Sequence, residues 1–168
     1  SGAPGHQYYQ QKADYVIDLE LDDEKQTIKG VETITYKNNS PDKLTYLWIQ
    51  LDQNMRAKDS DTKLIQTDRI DEKVNFYDLD RLYNDFDGGF KLEYVKDAAG
   101  KDFKYTVNKT MMRVDLPTPL NPGSTYSLKI KWWYNINNRD DIGGRSGYEY
   151  FEKDKNYLYT IAQFYPRM

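Results

Sequence analysis

Few side chains in this sequence could carry out chemistry, and their types narrow the choice quickly. His6 is the only histidine and there is no cysteine. Catalytic zinc is normally held by a histidine pair such as HExxH with a further ligand, and a serine nucleophile needs an ordered imidazole as base. Neither can be assembled around His6, which follows the flexible opening Ser1-Gly2-Ala3-Pro4-Gly5. Disulfides and thiolate metal sites are excluded together, which leaves the compartment open. The 27 acidic residues contain enough carboxylates for a two-carboxylate hydrolytic pair, but covering the wet faces of strands is the favoured use of such residues. Asp85 and Asp87 suggest a calcium loop closing its first half at Gly88. The EF-hand pattern then requires an acid where Tyr83 stands and a glutamate where Tyr94 stands, so a solvated acidic turn is the better reading. The run Gly143-Gly144-Arg145-Ser146-Gly147 lacks the lysine and spacing of a phosphate-binding loop.

Aromatic residues offer a second kind of chemistry. Trp132, Trp133, Tyr148, Tyr150, Tyr157 and Tyr159 lie close together in sequence, and exposed rings on a β surface can stack on sugars. Strand alternation predicts Trp132 inward and Trp133 outward, and packing is the favoured role for the group. The formal net charge of -3, with no basic run, argues against tracking a phosphate backbone. No apolar run approaches the length of a membrane-spanning helix.

The elements that would position these residues are strands. Tyr15, Ile17, Leu19 and Leu21 alternate with Asp18 and Glu20, which predicts one dry face. A polar turn, Asp22-Asp23-Glu24-Lys25, leads into Thr27 to Tyr36, rich in β-branched and aromatic residues, and the two make a hairpin. Asn38-Asn39-Ser40-Pro41-Asp42 ends the second strand. Leu44 to Leu51 follows with apolar residues in both phases, the pattern of a strand in the middle of a sheet stack.

Beyond a polar loop at Asp52 to Asp61, Leu64 to Thr67 and Val74 to Tyr77 read as short strands, and Asp78 to Gly89 as a loop. Phe90 to Val95 and Phe103 to Val107 alternate around Asp97 to Lys101, which predicts another hairpin. Met112, Val114 and Leu116 repeat the pattern until Pro117, Pro119 and Pro122 forbid regular pairing. Ser124 to Tyr134 is the clearest strand. Asn135 to Gly147 reads as a long polar loop, and Tyr148 to Phe151 with Tyr157 to Phe164 as a final hairpin. The period of two outweighs any helical period, so the fold is expected to be all-β: a curved antiparallel β-sandwich or saddle-like domain with short strands and long loops. Sixteen tyrosines fit wide, half-buried sheet faces. Residues 1–10 read as a flexible lead or cloning remnant, and residues 11–168 as the domain.

The order of these segments also resembles a known family. The opening strands with "TIKG", the "NNSPD" turn and "LTYLWIQLDQN", then "PLNPGSTYSLKI" and "GGRSGYEYFEKDKNYLYTIAQFYPRM", are similar to the N-terminal β domain of M1-family (gluzincin) zinc aminopeptidases, with a bacterial branch the nearest in pattern. The resemblance covers Gln11 to Met168. It implies a curved β domain that abuts a thermolysin-like catalytic domain, closes one side of its cleft and carries none of the zinc ligands.

Zinc would then belong to the catalytic domain of the parent enzyme, outside this chain. The expected partners are that downstream domain and, through it, a peptide substrate, and the family domain would continue past Met168. For the branch, the implied location is periplasmic or extracellular. One site residue is carried over by the resemblance: Gln163 matches a glutamine that lines the pocket for the first residue of the substrate. An amide suits that task because it can donate to a carbonyl and accept from an ammonium at once. The family's second, acidic contact falls on Tyr165, which places amine recognition by that route in question. A different class of function remains open beside this one, a free-standing β-sandwich module binding carbohydrate through the aromatics near Trp133 and Tyr148.

Overall fold

The computed structural model describes residues 3–5, 7–62, 85–142 and 145–168. Among the described residues there are nine strands: β1 (Lys12–Asp22), β2 (Thr27–Lys37), β3 (Leu44–Gln50), β4 (Lys91–Asp97), β5 (Lys104–Asn108), β6 (Met111–Leu120), β7 (Thr125–Asn135), β8 (Gly147–Phe151) and β9 (Asn156–Thr160). A 3-10 turn (Asp52–Arg56) and a single-turn helix, α1 (Arg139–Ile142), complete the described elements. Every strand pairing is antiparallel, so the fold is all-β and sandwich-like, as the alternation predicts.

The first sheet has the order β1-β2-β7-β4, the second β3-β6-β5, and β8-β9 stands as a two-stranded ribbon. Strand β7 lies at the centre because it meets both requirements of that position. Its inward set Leu128, Ile130, Trp132 and Tyr134 is almost fully buried, while Lys129 between them stays in water. Ile34 and Ile28 of β2 join that face, and Leu47, Ile49, Met112 and Val114 of the second sheet close one shared core over it. Gly30 faces Trp132 across the β2–β7 pair. A Cβ there would come within 2.6 Å of the indole, so only glycine lets the ring lie flat across the sheet.

Several expectations are corrected. Strand β3 does not sit mid-stack: it pairs only with β6 and forms an edge, with Leu47 and Ile49 inward and Tyr46 and Trp48 exposed. Its two-phase apolar pattern reflects exposed aromatics on the outer face, not a second covered face. On β1 the dry face holds for Tyr15 and Ile17, which are half-buried, but Leu19 and Leu21 are exposed. The Asp97–Lys101 turn folds the chain back as expected, with Lys96 bridged to Asp102 and Phe103 N–H bonded to Val95 O at 2.9 Å, but the pairing stops there: β4 stays in the first sheet and β5 crosses to the second.

Alternation alone cannot separate a hairpin from such a corner, since both preserve the pleat. The prolines Pro117 and Pro119 do interrupt regular pairing as expected: β6 runs on to Leu120, but its register shifts opposite Leu44 to Tyr46. The final strand stops at Thr160, short of Phe164. The first hairpin, the Trp132-in alternation of β7 and the β8–β9 hairpin stand as read. His6, Gly143, Gly144 and the expected strands at 64–67 and 74–77 lie outside the described residues, as does the 78–89 loop up to residue 84.

Candidate functional site

The segment after β9, Ile161 to Arg167, is an irregular stretch laced to the body by polar bonds. Loops usually need water to satisfy their backbone, whereas this one is served by buried side chains. Gln53, in the 3-10 turn and 3% exposed, aims its amide at two carbonyls, donating to Ala162 O at 2.8 Å and Gln163 O at 3.1 Å. From the other side the Ser146 hydroxyl accepts the Ala162 N–H at 2.9 Å. Asn137, itself buried, donates its amide to Ser146 O at 2.8 Å. Thus the loop between β7 and β8, expected to be an open polar connection, is a folded support with buried Ile136, Asn137 and Ser146.

The far end of the segment is fastened by charge and by main chain. Arg167 Nε donates to Asp52 Oδ2 at 2.8 Å, a bond that raises the guanidinium pKa further. Gln50 and Arg167 exchange both backbone hydrogen bonds, at 2.7 and 3.1 Å. Tyr165 packs edge-on against Tyr15 with centroids 5.3 Å apart, and the Tyr15 hydroxyl accepts the Met168 N–H at 2.8 Å. Burial raises the Tyr15 pKa, so the phenol stays neutral across the ordinary range.

Gln163 sits at the crest of this segment. Its side chain is exposed, and its backbone is left-handed at φ 52°. The other described non-glycine residues with positive φ are Gln26, Lys109 and Lys155, each at a turn joining two paired strands. Gln163 alone among them takes that conformation away from a hairpin, and it is held there by the Gln53 clamp on its own carbonyl. The family resemblance pointed to Gln163 as a pocket-lining glutamine, but nothing in the sequence pointed to its left-handed backbone. Nothing in it pointed to Gln53, Asn137 or Ser146, whose partners lie up to 110 residues away.

The other sequence candidates fall elsewhere. Asp85 pairs with Lys58 at 3.4 Å, and Asp87 with Lys91 at 2.9 Å. The hydrogen bond from Lys91 is the main cause holding the Asp87 carboxyl below its usual range. Tyr83 lies outside the described residues. Among the described residues no three His, Cys, Asp or Glu side chains converge to hold a metal. Tyr148, Tyr150, Tyr157 and Tyr159 share one face of the β8–β9 ribbon, but neighbouring rings are tilted by 40° to 82°. They form an interlocked ridge, not a flat stacking platform. Trp133 faces outward and is half-buried, with Lys91 Nζ 6.0 Å from its ring centre.

One functional-looking residue went unnoticed: Glu32 is fully buried on the inner face of β2, with neither carboxylate oxygen hydrogen-bonded. Burial alone pushes its pKa up from 4.5 to about 9, so it is neutral at physiological pH. Its phase with Ile28, Ile34 and Tyr36 was a readable signal, because the dry set of β2 runs straight through it.

Comparison with known proteins adds likeness at the level of structure. No family model matches the chain, and no curated protein matches it by sequence. Among solved structures, it is similar to an M1 zinc metallopeptidase from Deinococcus radiodurans, with a TM-score of 0.46 and 15% identity over 80% of this chain. It is also similar to a variant of a two-domain M1 zinc metallopeptidase bound to L-tryptophan, with a TM-score of 0.49 and 14% identity over 88% of this chain. The chain spans 22% and 26% of the length of those two proteins.

Proposed function

We propose that this chain is the non-catalytic N-terminal domain of a zinc-dependent M1 aminopeptidase. In this reading residues 11–168 pack on a catalytic domain that carries the zinc, and the Gln163 turn borders the pocket for the peptide N-terminus. The observation that carries the reading is the Ile161 to Arg167 segment. The stretch of the sequence with the most specific family resemblance is also a loop clamped from three sides, with the exposed Gln163 side chain carried on a left-handed backbone. A fixed backbone beneath Gln163 narrows where its side chain can reach, which is what a positioning group requires.

Tyr165 packs against Tyr15 and leaves no carboxylate on the turn to meet an ammonium, so Gln163 is the polar contact this segment supplies. Exposed apolar side chains on the β8–β9 ribbon, Phe151 and Leu158, and on the open end of β1, Leu19 and Leu21, supply surface for a neighbouring domain.

The test has two parts. The gene sequence past Met168 should encode HExxH; a stop codon directly after Met168 would return the chain to the class of independent binding modules. In the whole enzyme, Gln163→Ala should raise KM for aminoacyl substrates about threefold to tenfold, the worth of one neutral hydrogen bond, with kcat nearly unchanged. An unchanged KM would remove Gln163 from the pocket.

A further inference from the structure

Arg167 meets the outer edge of β3 as a neighbouring strand would. Strand β3 pairs with β6 on one side. On the other, Gln50 exchanges its backbone N–H and C=O with Arg167 in an antiparallel bridge. By antiparallel alternation Trp48 and Tyr46 present their own N–H and C=O on the same side as Gln50, where no backbone bond among the described residues takes them. The edge is therefore occupied at Gln50 and free from Trp48 onward.

The register of the bridge extends by counting. With Arg167 opposite Gln50, Met168 falls opposite Ile49, and residues that face one another across a pair share a side of the sheet. Ile49 is fully buried, so Met168 should turn inward. It does: Met168 packs against the shared core and lines a groove of about 500 Å³ between β3 and β1, together with Tyr36, Leu44 and Leu47. The last two residues of the chain thus already have the direction and the phase of a strand.

We infer that the residues following Met168 add to β3 as an antiparallel strand and fill this groove as far as Leu44, where β3 begins. This rests on the reading given above, that the chain is the first part of a longer enzyme. Two features select the chain's own continuation over any other guest. Met168 already stands in the groove, so a foreign strand would have to displace it. A segment joined covalently at Met168 also has an effective concentration at the edge that a free partner does not reach.

The same counting gives the pattern of the strand. The first residue after Met168 lies opposite Trp48 and the third opposite Tyr46, on the outer face where both rings are exposed. The second lies opposite the buried Leu47 and is therefore apolar. For the Gln163 turn the consequence is direct, because the Ile161 to Arg167 segment is then fixed at its far end by a ladder of main-chain bonds as well as by the single bridge at Gln50.

Residue-resolved amide exchange on the full gene product, compared with the 168-residue chain, tests this. Trp48 and Tyr46 should exchange at least about fivefold more slowly in the full protein, the worth of one net hydrogen bond. Leu47 and Ile49, whose amides face β6, are the unchanged reference. One alanine inserted directly after Met168 turns the inward set outward and should return Trp48 and Tyr46 to fast exchange; two inserted alanines restore the phase and the protection. Equal exchange in the two proteins, a charged second residue after Met168, or a stop codon directly after Met168 would overturn the inference. So would slow exchange of both amides in the 168-residue chain itself, which would assign the edge to a second copy. Protection without HExxH downstream would keep the strand and remove the aminopeptidase reading, whereas HExxH with unprotected amides would do the reverse.

Discussion

The centre of the β2–β7 pair and the Gln163 turn are held by opposite means. Around β7, Ile130, Leu128 and Trp132 are buried by area, and many weak contacts share the stabilisation, so no single polar bond defines the geometry. In the turn, a few directed bonds from Gln53, Ser146 and Asp52 define nearly everything. The first arrangement tolerates local change and fails globally. The second fails one bond at a time, since each bond fixes a different part of the segment.

The largest expected effect lies in the first region. Trp132 is fully buried, stacked on Tyr134 at 5.8 Å and edge-on to Phe90 at 5.4 Å. Trp132→Ala should cost about 3–5 kcal/mol of global stability, read from the denaturant midpoint. A loss confined to local opening near residue 132 would break the contrast between the two regions.

Glu32 gives the next effect and sharpens the contrast, since it is a polar group inside the region held by area. Its folded pKa of about 9 lies above the ordinary 4.5, so the folded state keeps a proton that the unfolded chain has already released. Stability is therefore highest below the unfolded value and falls as pH rises through the window up to about 9. The slope is at most about 1.4 kcal/mol per pH unit. Glu32→Leu should flatten that dependence and leave the variant about 2–3 kcal/mol more stable than the parent chain at alkaline pH. Identical slopes for the two proteins would show that the carboxylate finds a partner once it ionises.

In the second region, Gln53→Ala removes the donor for two carbonyls at once. The expected loss is about 1–2 kcal/mol, with amide exchange in residues 161–167 accelerating much more than in β7. Equal acceleration in both would mean that the turn and the core open together.

How far each region was readable follows from the same physics. The β7 strand, the first hairpin and the inward Trp132 are encoded by a local period, because every second residue reports the same environment. The edge position of β3 was not, since an exposed Tyr46 and Trp48 imitate a second buried face. The sheet change between β4 and β5 was hidden for a related reason: Phe103 continues the alternation of Val95 whether the chain folds back or crosses over. The turn was readable only as a match of residues to a family pattern. Its geometry rests on Gln53 and Ser146, and a lone glutamine or serine carries no sign of a partner far along the chain.

The smallest expected effect concerns the strain at Gln163 itself. A non-glycine residue at φ 52° costs about 1 kcal/mol in backbone energy. Gln163→Gly removes that cost but loosens the unfolded chain by about 0.5–1 kcal/mol. The two nearly cancel, and a net change within about 0.5 kcal/mol of zero is expected. Gln163→Val has no such compensation, because a β-branched side chain tolerates positive φ poorly, and it should destabilise by about 1 kcal/mol or more. If the clamp from Gln53 is what enforces the conformation, the penalty of valine should shrink in the Gln53→Ala background, where the turn is free to relax. A double-mutant cycle over these two positions measures that coupling directly. A coupling near zero would mean that the left-handed crest is set by Pro166 and the Asp52–Arg167 bond from the other end of the segment.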